Sequence, residues 1–141
     1  MSLVLLSLLA VGLISCGPEE PSITVTDTWG RVSPRSAANA AFYMDIHNEG
    51  READQLTGVD SPECGITQLH ESMIDELGVA SMQHVEEIEI PASETVPLEI
   101  GGLHVMCLDK LNAFEAGGRI PITLFFDKSG RMEVEAEIRE E

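Results

Sequence analysis

The chain has 141 residues, 8 of them basic and 25 acidic, which gives a formal net charge of -17. That length is one domain's worth of sequence and buries roughly two thirds of the unfolded chain's surface without staples. So acidic a surface repels phosphate backbones and anionic headgroups, which argues against nucleic acid as a partner and fits solubility or a salty habitat.

The first element is an uncharged apolar run from Leu3 to Ile14 in "MSLVLLSLLAVGLISCGPEEPS". It is too short to span a bilayer and has the length of the apolar region of an export signal, although no Lys or Arg precedes it. Its end, "LISCG", resembles the lipobox of bacterial lipoproteins. That resemblance implies a signal peptide over 1–15, a lipidated Cys16 as the first mature residue, and a domain held by its lipid at the outer face of the membrane, in an extracytoplasmic or periplasmic setting. "GPEEPS", residues 17–22, reads as a short flexible tether, because Gly, Pro and acidic residues do not bury themselves. The folded domain is then expected over 23–141.

From Ile23 onward the apolar pattern has period two. "ITVTDTW" and "RMEVEAEIREE" alternate apolar with polar side chains, as half-buried strands do. Between them lie "AAFYMDIHN", "DQLTGVD", "ITQLHES", "VASMQHV", "EIEI", "TVPLEI", "LHVMCL" and "IPITLFF", separated by turn signals such as "NEG", "DELG", "PAS", "GG", "AGG" and "DKSG". Such spacing predicts an all-β antiparallel sandwich or Greek-key barrel. Only "SPRSAANAA" and "LDKLNAFEAGG" have the composition for a helical turn. No internal repeat and no second domain is visible.

With Cys16 lipidated, Cys64 and Cys107 remain as an even pair in an oxidising compartment, either as a disulfide or, the more ordinary reading, as two buried thiols. A second set of residues carries chemistry. In "LHVMCL", His104 and Met106 are two apart and share a strand face, while Val105 and Cys107 project from the other. In "QLHESMIDELGVASMQHVEE", His70, Met73, Met82 and His84 flank the turn "DELG"; a hairpin there brings His70 and Met82 onto neighbouring strands. Thioether sulfur is soft and selects Cu(I), and imidazole accepts copper in either oxidation state. Met73 and His84 are secondary candidates, more simply read as surface residues.

The spacing His70, eleven residues, Met82, twenty-one residues, His104, one residue, Met106 resembles the pattern of the periplasmic copper chaperones called PCu(A)C. The likeness extends to "TWGRVSPRSAANAAFYMDIHNEG", "VEEIEIPASETVPLEIGGLHVM" and "IPITLFF", roughly residues 23–138. It implies a cupredoxin-like β-sandwich without catalysis of its own, which binds Cu(I) through His70, Met82, His104 and Met106. It also implies delivery of that copper to the copper-accepting subunit of cytochrome c oxidase or to another copper chaperone. Cys107, His84 and the acidity of the surface depart from the family's usual pattern.

Two other functions compete. A blue-copper electron-transfer protein needs two His, a Cys and an axial Met, and Cys107 supplies the thiol type, but on the face away from His104 and in the wrong chain order. A metal-free structural lipoprotein domain would show no change in melting temperature with copper. No GxSxG, P-loop or HExxH motif points to an enzyme.

Overall fold

A computed structural model describes residues 20–140. The export segment 1–15, Cys16 and the first tether residues lie outside that range. Ten strands follow in chain order: β1 (Ile23–Arg31), β2 (Ala40–Asn48), β3 (Asp54–Asp60), β4 (Cys64–Ile74), β5 (Ala80–Val85), β6 (Ile88–Ile90), β7 (Thr95–Leu98), β8 (Leu103–Lys110), β9 (Arg119–Phe126) and β10 (Gly130–Arg139). Their hydrogen-bonded order is β5-β4-β8-β2-β1-β10-β9-β3-β6, with β7 paired to β2 beside β8. All pairings are antiparallel except β1 with β10, which run parallel.

Alternation explains the strands. In β2, Phe42, Met44 and Ile46 are buried while Tyr43, Asp45 and His47 are only half so. The buried set joins Leu56, Leu69, Ile90, Leu98, Val105, Ile122, Leu124 and Ile138 in one core. Because β3 packs on β4 and β6 reaches β2, the sheet folds over that core as the sandwich that the strand spacing predicts, in the cupredoxin-like form that the family resemblance implies.

Four local features differ from the sequence reading or add to it. No helical turn forms in the two segments given that composition; instead Ser33 and Phe114 form an isolated antiparallel bridge, exchanging N–H···O bonds of 3.0 and 2.9 Å. Burial of Phe114, 1 % exposed, outweighs local propensity. Nor does the tether run loose to residue 22: Ser22 N–H donates to Asn48 Oδ1 and its carbonyl accepts from Glu49 N–H. Cys64 and Cys107 are bonded as a disulfide with Cα atoms 5.4 Å apart, so the buried-thiol reading gives way to a cross-strand link between β4 and β8. In β1 the pairing with β2 shifts between Thr26 and Trp29, where Asp27 has φ 47°, and this bulge sets Trp29 opposite Tyr43.

Candidate metal centre

Three ladders determine which side chains meet. Across β2 and β8, Ala41 opposes Met106 and Phe42 opposes Val105, which places Tyr43 level with His104. Across β8 and β4, His104 opposes His70 and Met106 opposes Gln68. Across β4 and β5, His70 opposes His84 and Ser72 opposes Met82. Registered partners share a face. One outer face therefore carries the row Trp29, Tyr43, His104, His70, His84, flanked by Met106 on one side and Met82 on the other.

Ring spacings follow the row: 4.7 Å from Trp29 to Tyr43, 6.4 Å from Tyr43 to His104, 5.8 Å from His104 to His70 and 6.1 Å from His70 to His84. The hairpin that brings β5 alongside β4 turns at Asp75, whose carboxylate accepts the N–H groups of Leu77 and Val79, with Gly78 at φ 79°.

The histidines differ in what they already bond. His104, 4 % exposed, donates Nδ1–H to the Gly102 carbonyl at 3.0 Å. Since a carbonyl only accepts, the proton is on Nδ1 and the lone pair on Nε2. His70 Nε2 lies 3.0 Å from Gln68 Oε1, and its Nδ1 is buried without a partner. Burial, and then the charges of His104 and His84, hold the His70 ring below the ordinary imidazole range, which keeps it neutral. A buried, unpartnered imidazole lone pair is costly unless something accepts it.

A cleft of about 300 Å³ is bounded by β2, β8, the β4–β5 arm and the turn at Ile100 and Gly101, and is lined by Tyr43, Ser72, Met82, Ile100, His104 and Met106. It takes in both thioethers and His104; His70 and His84 stand beside it. Met82 is 60 % exposed on an edge strand. Burial pushes the Tyr43 hydroxyl above its usual range, with the Arg31 guanidinium opposing, so the phenol stays protonated beside His104. Among the described residues no three His, Cys, Asp or Glu side chains converge, as they stand, to hold a metal ion. Any ion here needs the sulfurs or a turn of a ring. A larger cleft, where β1 and β10 splay apart, is lined by Arg119, Arg131, Glu133 and Glu135, which are already paired with one another.

His70, Met82, His104 and Met106 thus share one face, and His84 joins them. Met73 does not: it pairs with Ser81 and projects from the other face of β4. Cys107, in the disulfide and on the core face, is removed from any copper site, which eliminates the blue-copper reading. Sequence reasoning missed Tyr43, Gln68 and Trp29. The polar alternation in β2 marked Tyr43 as outward-facing, but nothing in the chain said which strand lay beside it.

Comparison with known proteins gives a consistent picture. The LpqE-like lipoprotein family matches residues 23–138. Lxx21020 of Leifsonia xyli subsp. xyli, named as a lipoprotein, is 27% identical over 125 residues, 88% of this chain and 74% of that protein. The apo PCuAC domain from PmoF1 superposes with a TM-score of 0.71 at 28% identity, covering 84% of this chain and 94% of the domain. The Cu(I) form of DR1885 from Deinococcus radiodurans superposes at 0.62 with 27% identity, over 80% of this chain and 75% of that one.

Proposed function

The chain belongs to the LpqE-like lipoprotein family, and from that premise we propose that it is an extracytoplasmic, lipid-anchored copper chaperone. It binds Cu(I) through His70, Met82, His104 and Met106 and passes it to the copper centres of cytochrome c oxidase, the membrane-embedded acceptor that an anchor at Cys16 would bring within reach.

The observation that carries this reading is the pairing of two imidazoles across β4 and β8, one with Nδ1 bonded to Gly102 and one with a buried, unpartnered Nδ1, on the face that also holds two thioethers. Neutral nitrogen and thioether sulfur suit a soft monovalent ion and leave its charge only partly compensated. The hydrogen bonds from His104 to Gly102 and from His70 to Gln68 fix the tautomers before the ion arrives. An exposed Met82 gives an acceptor a ligand to displace first, and the others follow one at a time. Likeness to PCuAC domains, one of them solved with Cu(I), supports the choice of metal.

The test is anaerobic titration of the purified protein with Cu(I) against a chromogenic chelator, with a Met82→Ala, Met106→Ala double variant alongside. One equivalent bound by the parent and roughly 100-fold weaker binding by the variant, about 3 kcal/mol, is expected. Binding indifferent to both methionines rejects the site. Copper transfer to the isolated copper-binding domain of the oxidase, measured by the change in its visible spectrum, tests the acceptor.

A further inference from the structure

The ladder holds one imidazole more than the four-ligand set uses. His84 stands opposite His70 in register on β5, and His104 stands opposite His70 on β8, so three imidazoles project from one face of three adjacent strands. Their rings are 6.1 and 5.8 Å apart.

What each ring already bonds decides which nitrogen it offers. The central ring, His70, has its outer nitrogen engaged by Gln68 and leaves Nδ1, the nitrogen nearer the backbone, unpartnered and buried. The flanking ring, His104, has Nδ1 engaged by Gly102 and leaves the outer Nε2. The middle strand thus offers a nitrogen of short reach and the side strand one of long reach. The same long reach from the other side strand is open to His84, which is exposed and turns about its side-chain bonds on a fast timescale. As they stand the rings form a row and do not converge on an ion, so the site requires rotation of His84 and a turn of the other two.

We propose that this face binds Cu(II) through His70, His84 and His104, in place of the His70, His104, Met82 and Met106 set that takes Cu(I). The inference deepens the copper reading above and rests on it. Thioethers serve the soft Cu(I), whereas Cu(II) prefers nitrogen and oxygen ligands in a tetragonal arrangement. A solvent oxygen completes the fourth position at this exposed edge. Each form of the ion is taken up as presented, with no change of oxidation state in the site. His70 and His104 are common to both sets, so the two ions exclude one another.

The experiment is a pair of titrations of the whole protein and of His84→Ala: copper(II) sulfate in air against glycine as competitor, with electron paramagnetic resonance at one equivalent, and Cu(I) anaerobically against a chelator. The parent is expected to take one Cu(II) with nitrogen superhyperfine splitting. His84→Ala is expected to weaken Cu(II) by about 10-fold or more while moving Cu(I) affinity by less than about 3-fold. An unchanged melting temperature of the apo variant shows that its fold is intact. Equal Cu(II) affinity in parent and variant, or a parent spectrum without nitrogen splitting, overturns the proposal. Loss of Cu(II) with His84 alongside absent Cu(I) binding in the parent instead overturns the Cu(I) chaperone reading and leaves the three-imidazole site in place.

Discussion

Breaking the Cys64–Cys107 bridge is the perturbation whose size follows most directly from the structure. The two residues are 43 apart in sequence, and closing a loop of that length restricts the unfolded chain by about 4 kcal/mol at 25 °C. Both are buried, at 9% and 0% exposure, so Cys64→Ala with Cys107→Ala also leaves a small void worth about 1 kcal/mol. A chain of this size has a urea dependence of about 2 kcal/mol per M, so the double variant should unfold about 2 to 3 M earlier. The assay is urea unfolding at pH 7 followed by far-ultraviolet circular dichroism, for the parent with and without a phosphine reductant and for the variant. Reduced parent and variant should lie close together, the variant slightly lower. A reduced protein whose midpoint stays within about 0.5 M of the oxidised one would refute the loop-constraint argument. The same bond joins the strands that carry His70 and His104, from the core side, so its loss should loosen the ladder at the site first.

Three other outcomes are expected. Asp54, 1 % exposed, accepts N–H bonds from Gln55, Lys128 and Ser129; burial alone would raise its pKa, but the Ser129 hydroxyl and these backbone donors together hold it below the ordinary value. A depressed folded pKa gives stability that is present above the unfolded value and lost as pH falls through the folded one, so Asp54→Asn should cost about 2–4 kcal/mol at pH 7 and progressively less below about pH 4. Melting curves across that range check it, and a gap that does not narrow counts against it. Gly30→Ala places a Cβ 2.8 Å from Phe42 Cδ1, in a ring that is 0% exposed, and should cost about 1–3 kcal/mol in thermal unfolding, partly recovered by Phe42→Leu. Gln68→Ala removes the acceptor that fixes the His70 tautomer and should weaken Cu(I) by about 10-fold with the melting temperature of the apo protein little changed, as read by chelator competition.

Local periodicity was enough to locate the strands, because alternation such as Phe42, Met44, Ile46 against Tyr43, Asp45, His47 reports burial on one face directly. Parity along β8 likewise put His104 with Met106 and against Cys107. Register was legible only where a tight turn fixes it: His70 and His84 are disposed evenly about the Asp75–Val79 turn, and a strict hairpin reading would have paired them. The Tyr43–His104 and Trp29–Tyr43 neighbours could not be read, because β2 and β8 are far apart in the chain and the β1 bulge changes which residue faces Tyr43. The disulfide depended on a Cα separation that spacing does not encode. The segments 33–41 and 108–118 misled because their helical composition yields to a single long-range bridge between Ser33 and Phe114.

β5 ends the order of strands, hydrogen-bonded to β4 alone, and five of its six residues are exposed. A strand held by one ladder and little apolar burial opens at a small fraction of the free energy needed to unfold the core, and its amides should exchange with solvent long before those of β2 or β9. Met82 and His84 both ride on it, whereas His70, His104 and Met106 sit on strands paired on two sides. Two of the five candidate ligands therefore ride on a weakly held edge strand and three on strands held from both sides. If copper is held as proposed, its lifetime would be governed by the fraying of a single hairpin arm, a motion that an acceptor could capture without disturbing the sandwich.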